Sequence, residues 1–234
     1  MEEFLTPHFW VAVGQIIMID ILLGGDNAVV IALACRKLPD NQRTKGIVWG
    51  TVGAIVLRII LIAFALALLQ IPYLKFIGAL LLLWIGVKLI APDDEDEHGN
   101  IQSSDKLWTA IKTVIVADLV MSIDNVVAIA AAAQGAGEKH ELALVIFGLL
   151  VSIPIIVGGS QIILRLMDRF PIIITLGGML LGWIAGTMAH TDPALVPWLP
   201  QDRTWHYALG VAGALLVLLI GKWLQRRRAA APAG

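Results

Sequence analysis

The chain has 234 residues, of which 58% are hydrophobic and 15% are charged, and its formal net charge is −1. A soluble domain averages about 25% charged residues, and it has no means of burying so large a share of apolar side chains. The composition therefore excludes an ordinary soluble protein, and the small net charge gives no reason to expect a nucleic-acid partner. Because Cys35 is the single cysteine, an internal disulfide is excluded as well.

Seven apolar stretches have about the 20 residues that a helix needs to cross a bilayer. The first stretch follows Glu2 and Glu3, whereas a signal peptide begins with a basic segment, so we expect it to be retained as a membrane helix. Proline cannot continue a helix, and Pro72 and Pro171 separate two closely linked pairs. The predicted spans are Phe9–Ala34, Ile47–Leu69, Tyr73–Ile90, Trp108–Ala133, Leu142–Leu164, Ile172–Met188 and Tyr207–Trp223.

The distribution of lysine and arginine predicts the orientation of these spans. If the N-terminus is outside, most of the 17 basic residues fall in inside segments, and only Lys75, Lys139 and Arg203 fall outside. Cytoplasmic segments carry the excess of basic residues in membrane proteins. We therefore predict an outside N-terminus and an inside C-terminus, which places the acidic linker 92–107 in the cytoplasm.

The chain contains an internal repeat at an offset of 98 residues. The segment DILLGGDNAVVIA beginning at Asp20 matches DLVMSIDNVVAIA beginning at Asp118. Three spans recur in each copy, and because three is odd, the second copy enters the membrane in the opposite direction, as in many secondary transporters. The sequence predicts one all-α domain over 1–234, with three-helix repeats at 9–91 and 108–190, the acidic linker 92–107 between them, and a seventh helix at 207–224.

Four aspartates lie within the predicted spans, two in each copy of the repeat. A carboxylate at the centre of a bilayer costs about 2.5 to 3.5 kcal/mol on insertion scales. Arg58 is the single basic residue well inside a predicted span, so ion pairing alone leaves most of these charges unbalanced. Protonation, water or a bound cation must balance the others. The four are Asp20, Asp26, Asp118 and Asp124.

Each copy also places an asparagine directly after its second aspartate. Carboxylate and amide oxygens suit Mg²⁺, Ca²⁺ or Mn²⁺, while no cysteine or histidine is placed for zinc or copper. Gly24-Gly25 is expected to loosen the first helix beside this site. Met121 is either a soft ligand or a packing residue, and Ser122 either a ligand or bonded back to its own helix. The predicted metal site is Asp20, Asp26, Asn27, Asp118, Asp124 and Asn125.

The Gly-Gly-Asp26-Asn27-Ala segment and the Ser122-Ile-Asp124-Asn125 segment resemble the intramembrane motif of the TerC family over about residues 9–224. The resemblance is closest to short members without a cytoplasmic domain. It implies a place in the superfamily of lysine exporters and a role in manganese export. Many relatives have glutamate where Asp20 stands, and the shorter aspartate is expected to alter selectivity.

We therefore expect a multi-pass protein of the bacterial cell membrane that exports a divalent cation by alternating access with proton antiport. Mn²⁺ is the first candidate for this cation. The alternatives are transport of Ca²⁺ or another small solute, and a scaffold or stress sensor that transports nothing. No resident cofactor and no enzymatic activity are expected. An intramembrane aspartyl protease fits poorly, because Leu23 occupies the first glycine position of its motif. The oligomeric state stays open.

Overall fold

The computed structural model describes residues 14, 18, 25–64, 71–91, 103–134 and 141–229. These residues form seven helices and no strand, so the prediction of an all-α fold is confirmed for them. We number the helices in chain order: α1 Gly25–Cys35, α2 Asp40–Ala63, α3 Leu74–Ile90, α4 Ser103–Gln134, α5 Glu141–Arg169, α6 Ile172–His190 and α7 Arg203–Ala229.

Four of the described helices are long and apolar enough to cross a membrane. They are Asp40–Ile62 in α2, Ile146–Arg169 in α5, Ile172–His190 and Arg203–Arg227 in α7. The described part of α1 is a shorter apolar helix, and α3 has 17 residues, slightly fewer than a span of about 20. The structure thus supports a protein that crosses the membrane several times.

The ends of the helices differ from the predicted ends of the spans. We predicted the second span at Ile47–Leu69, but α2 begins at Asp40 and ends at Ala63. We predicted the seventh at Tyr207–Trp223, whereas α7 covers Arg203–Ala229. Hydropathy marks only the apolar part of a helix, and its backbone hydrogen bonds can continue through polar residues into the aqueous phase.

Helices α2 and α4 lie side by side and run in the same direction. Gly46 near the start of α2 contacts Leu107 near the start of α4, and Gly53 further along contacts Ile115. A glycine lets the neighbouring helix approach closely because it has no Cβ atom. This close approach is what brings the polar residues of the two helices together.

Helices α3 and α6 are also neighbours, but they run in opposite directions. Gly78 at the start of α3 contacts Met188 at the end of α6, and Ile90 at the end of α3 contacts Gly178 near the start of α6. Leu82 and Leu181, the middle residues of this contact, are fully buried in one core cluster. These two helices, the third of each predicted repeat, form the centre of the core.

Helix α7 completes the bundle by packing on both α3 and α6. It runs parallel to α3, since Gly86 contacts Val217 and Ile90 contacts Gly221. It runs antiparallel to α6, where Gly182 contacts Gly213 through the backbone. All these directions are the ones expected if consecutive helices cross the membrane alternately up and down.

The start of α3 is capped by a residue distant in the chain. Tyr73, directly before α3, has a left-handed backbone with φ 64° and no side-chain cap of its own. The buried carboxylate of Asp192, in the loop after α6, accepts hydrogen bonds from the backbone N–H of Tyr73 at 3.1 Å and of Phe76 at 3.0 Å. Asp192 therefore satisfies two N–H groups that a helix leaves unpaired in its first turn.

Candidate cation site

A buried ion pair joins α2 to α4 within the apolar interior. Arg58 Nη2 lies 2.5 Å from Asp118 Oδ1, and the two side chains are only 2% and 7% exposed. Such a pair has lost its hydration and persists only where its geometry and extra hydrogen bonds compensate for that loss. The sequence pointed to Arg58 as the basic residue inside a span, and the structure identifies its acidic partner.

Ser122 supplies the extra hydrogen bonds of this pair. Its hydroxyl donates to Asp118 Oδ2 at 3.1 Å and accepts from Arg58 Nε at 3.1 Å. Residues 118 and 122 are one turn apart on α4, which puts both side chains on the face toward α2. Of the two alternatives for Ser122, a ligand role stays a prediction, and in place of a bond back to a helix carbonyl the hydroxyl joins the ion pair. Ser160 shows the other arrangement, because its hydroxyl donates to the carbonyl of Ile156 at 2.8 Å.

Asp26 adds a second carboxylate from α1. It is half-buried, and it lies within electrostatic range of both Asp118 and Arg58. One of its oxygens, Oδ1, accepts the backbone N–H of Asn27 at 2.9 Å. The loosening predicted at Gly24-Gly25 stays a prediction, because Gly24 lies outside the described residues.

Asn27 contributes an amide group whose polar atoms are not hydrogen-bonded. The side chain is 3% exposed, and neither Oδ1 nor Nδ2 has a partner among the described residues. A buried polar group without a partner costs about 1 to 3 kcal/mol. Unpaired buried amides of this sort mark a position where a ligand, an ion or water can supply the missing contact.

The structure brings together part of the predicted site. Asp26 and Asp118 share one electrostatic environment, and Asn27 follows Asp26 directly. Asn125 lies on α4 and is half-buried. Asp20 lies outside the described residues, as does the side chain of Asp124. Within the part of the chain that the structure describes, no three histidine, cysteine or acidic residues come together as a metal cluster, so the six-residue site stays a prediction.

Among the described contacts, Met121 is a packing residue, which is one of the two alternatives given for it above. It is 4% exposed and belongs to the central core cluster with Leu82 and Leu181. The thioether is therefore surrounded by apolar side chains from α3 and α6, where a flexible methionine fills space well.

The model of the TerC family of integral membrane proteins matches residues 5–229, which include every element described above. The chain belongs to the TerC family. This membership, together with the apolar helices and bacterial membrane relatives, establishes a multi-pass protein of the cell membrane.

Several bacterial membrane proteins are similar to this TerC-family chain. The uncharacterized membrane protein YjbE of Bacillus subtilis is 41% identical over 211 residues, which cover 90% of this chain and 94% of that protein. YceF of the same organism is 28% identical, over 80% of this chain and 74% of its own length. The inner membrane protein YoaE of Escherichia coli is 22% identical over 75% of this chain and 36% of its own length. No solved structure gives a significant match.

Proposed function

We propose that this TerC-family protein is a secondary transporter, not an enzyme, that exports a divalent cation from the cytoplasm, with Mn²⁺ the first candidate. The observation that carries the proposal is the acidic group of half-buried Asp26 and buried Asp118, together with the Asn27 amide, which has no hydrogen-bond partner among the described residues. Oxygen donors of these types suit hard divalent cations. Two carboxylates share the single described guanidinium of Arg58, so the described part of the group carries a net negative charge.

In the proposed mechanism, Arg58 takes the place of the cation while the site is empty. Its guanidinium balances Asp118 and keeps the empty site stable in the apolar interior. An arriving divalent cation competes with Arg58 for Asp118 and Asp26, and repulsion favours movement of the guanidinium away from the cation. The substrate thereby breaks the contact between α2 and α4 that holds the empty state, which couples binding to a change of conformation.

The proposed architecture is seven spans in two inverted three-helix repeats plus α7, with the N-terminus outside and the C-terminus inside. The antiparallel contact of α3 with α6 supports it, because an axis in the membrane plane relates equivalent helices in opposite directions. Small residues also recur at equivalent places there: the pair Gly86 and Gly178 corresponds, at an offset of 99 residues, to Ala185 and Ala79.

Energy for export is proposed to come from protons moving inward. Moving a divalent cation out against 100 mV costs about 4.6 kcal/mol, since each charge contributes about 2.3 kcal/mol. Two entering protons would balance that charge. Asp26 is proposed to accept one as the metal leaves, and Asp20 or Asp124 of the predicted site to accept the other, because Asp118 returns to its ion pair with Arg58. Metal and proton compete for the same oxygens, which links release of one to binding of the other.

The test is cation flux in proteoliposomes with Mn²⁺, Ca²⁺, Mg²⁺ and Zn²⁺ offered separately, with and without a proton gradient. We expect Mn²⁺ flux that is lost in the variant carrying both Asp26→Asn and Asp124→Asn. Asp202→Asn is the matched control, because this aspartate is exposed and caps α7 far from the site. Asn27→Ala is expected to reduce Mn²⁺ affinity about tenfold, as one ligand oxygen is removed.

Other outcomes would change the proposed substrate, the proposed energy source or the class of the protein. Flux of Ca²⁺ alone would change the substrate and keep the site. Unchanged uphill efflux after the proton gradient is dissipated would exclude antiport. A correctly folded protein that moves none of the four cations would favour transport of another solute, or the scaffold or sensor.

A further inference from the structure

Two histidines meet at the end of the bundle where α6 ends and α7 begins. His190 Nδ1 lies 3.4 Å from His206 Nδ1, and the ring centroids are 5.4 Å apart with the ring planes inclined at 68°. Because 16 residues separate the two in the chain, no local spacing indicates this contact. The fold creates it, since α6 and α7 pack closely against each other through Gly182 and Gly213.

The ring of His190 is buried, and a hydrogen bond fixes its orientation. Its Nε2 lies 2.9 Å from the backbone carbonyl oxygen of Pro200, and the residue is only 3% exposed. A carbonyl oxygen can only accept, so Nε2 carries the proton of the neutral ring and Nδ1 directs its lone pair toward His206. Histidine ligands of metals are oriented in the same way, by a hydrogen bond from the other ring nitrogen to a carbonyl or carboxylate.

The separation of the two Nδ1 atoms fits a shared metal ion better than a hydrogen bond between the rings. N–H···O hydrogen bonds in proteins are about 2.7–3.2 Å long, so a contact of 3.4 Å is long for a hydrogen bond. Zinc binds histidine nitrogens at about 2.0–2.1 Å with tetrahedral angles, which places two such nitrogens about 3.3–3.4 Å apart. The two rings therefore already have the spacing that one Zn²⁺ ion requires of two imidazole ligands.

The other ligands of such an ion would be water. Within the part of the chain that the structure describes, no third histidine, cysteine or acidic residue joins the pair. The carboxylate of nearby Asp192 accepts the backbone N–H groups of Tyr73, Phe76 and Ala194 instead. Residues 201–205, directly before His206, are exposed, so the pair lies beside the aqueous phase. Two protein ligands leave two tetrahedral positions for water, which makes this an open site.

We propose that His190 and His206 form a binding site for Zn²⁺, with their Nδ1 atoms as the two protein ligands and water in the other positions. Imidazole suits zinc, whereas Mn²⁺ and Mg²⁺ prefer oxygen ligands such as those of the proposed transport site. The ion joins the end of α6 to the start of α7, on the side of the membrane that the basic residues predict to be outside. The site is independent of the proposed transport function, because Asp26 and Asp118 lie on α1 and α4.

The test is Zn²⁺ binding to the whole protein in detergent, purified without a polyhistidine tag and measured by isothermal titration calorimetry. The reference chain carries three substitutions that leave this pair as its only histidines: His8→Gln, His98→Gln and His140→Gln. The test variant adds His206→Gln to that chain. One control adds Asp202→Asn, which changes an exposed side chain one turn before His206. A second control adds Asp26→Asn with Asp124→Asn, which alters the predicted transport site.

We expect the reference chain and both controls to bind Zn²⁺ with equal affinity. The test variant should bind it about 100-fold more weakly or worse, because loss of a group that only orients a ligand already costs about 10- to 100-fold. Zn²⁺ should also raise the unfolding temperature of the reference chain more than that of the test variant. Binding that survives His206→Gln undiminished, or that is lost with Asp26→Asn and Asp124→Asn, would place the ion elsewhere and overturn the proposal. A reference chain that binds no Zn²⁺ would show that the two rings only hydrogen-bond to each other.

Discussion

Removing one member of the Arg58–Asp118 pair should be strongly destabilising, whereas removing both should not. Each side chain is almost fully buried, so a lone survivor is a charge that has lost its ion-pair partner in an apolar interior. Breaking such a pair typically costs about 3 to 5 kcal/mol, while its replacement by neutral residues of similar volume is often neutral. We therefore expect Arg58→Met and Asp118→Asn each to be destabilising, and the double variant to recover most of the loss.

The two single variants should differ, because Asp26 is also in electrostatic range of Arg58. After Asp118→Asn, the guanidinium still has Asp26 and the hydroxyl of Ser122, so the expected loss is near 3 kcal/mol. After Arg58→Met, Asp118 and Asp26 face each other without their described counter-charge, so the expected loss is near 5 kcal/mol. Repulsion between the two carboxylates adds to the loss of the ion pair.

The assay is unfolding of the purified protein in mixed micelles, analysed as a double-mutant cycle over the native chain, the two single variants and the double variant. The cycle isolates the energy of the pair from the separate effects of the two side chains. We expect a coupling energy of about 6 kcal/mol, because the two single losses together come to about 8 kcal/mol and the double variant should lose only about 2 kcal/mol. Losses that simply add would show that the two groups do not interact, and a larger loss for Asp118→Asn would contradict the role given to Asp26.

Two further predictions concern stability away from the site, and the same unfolding assay checks both. Asp192→Ala removes two backbone hydrogen bonds at the start of α3 and should cost about 1 to 3 kcal/mol, more than Asp202→Ala, which removes an exposed cap. Equal losses would argue against the capping role. Gly186→Ala puts a methyl group against the backbone carbonyl of Leu209 and should cost about 1 to 3 kcal/mol, whereas Gly158→Ala, which meets open space, should be neutral.

The sequence predicted the apolar helices well because the bilayer imposes one length and one polarity on each span. It predicted helix ends less well, as at Asp40 and Arg203, because polar residues continue a helix beyond the membrane without any change of backbone. The cap of α3 could not be predicted from the sequence for a different reason. Asp192 is 119 residues from Tyr73 in the chain, and no local pattern connects them.

The types of residues in the site were predictable, but their pairing was not. Charge alone indicated that Arg58 needs an acidic partner, and four intramembrane aspartates were available. The choice of Asp118 depends on the rotation of α4 and on the close approach that Gly50 and Gly53 of α2 allow. Periodicity along one helix defines its faces, but not which face a second helix contacts. That the Asn27 amide has no hydrogen-bond partner among the described residues likewise follows from packing and not from the sequence pattern.

The two predicted repeats differ in charge at one pair of equivalent positions. At the offset of 98 residues, Asp118 corresponds to Asp20, but Arg58 corresponds to Ile156, which is buried among apolar side chains of α1 and α5. At this position the second half of the predicted site therefore has no equivalent of the guanidinium among the described residues. For the proposed transport function, we predict that the transported cation gives Asp20 the balance that Arg58 gives Asp118.

Ile156→Arg tests this reasoning, because it would supply the missing guanidinium on α5. Contact of Ala28 with Gly159 indicates that α5 runs beside α1 at this level, as α2 runs beside α4. The new arginine should occupy the cation's place and reduce Mn²⁺ flux more than tenfold. Ile156→Met, the control, keeps the volume without the charge and should transport normally. Undiminished flux through folded Ile156→Arg protein would mean that the second repeat does not hold the cation, and the site would then have to be sought around Asp118 alone.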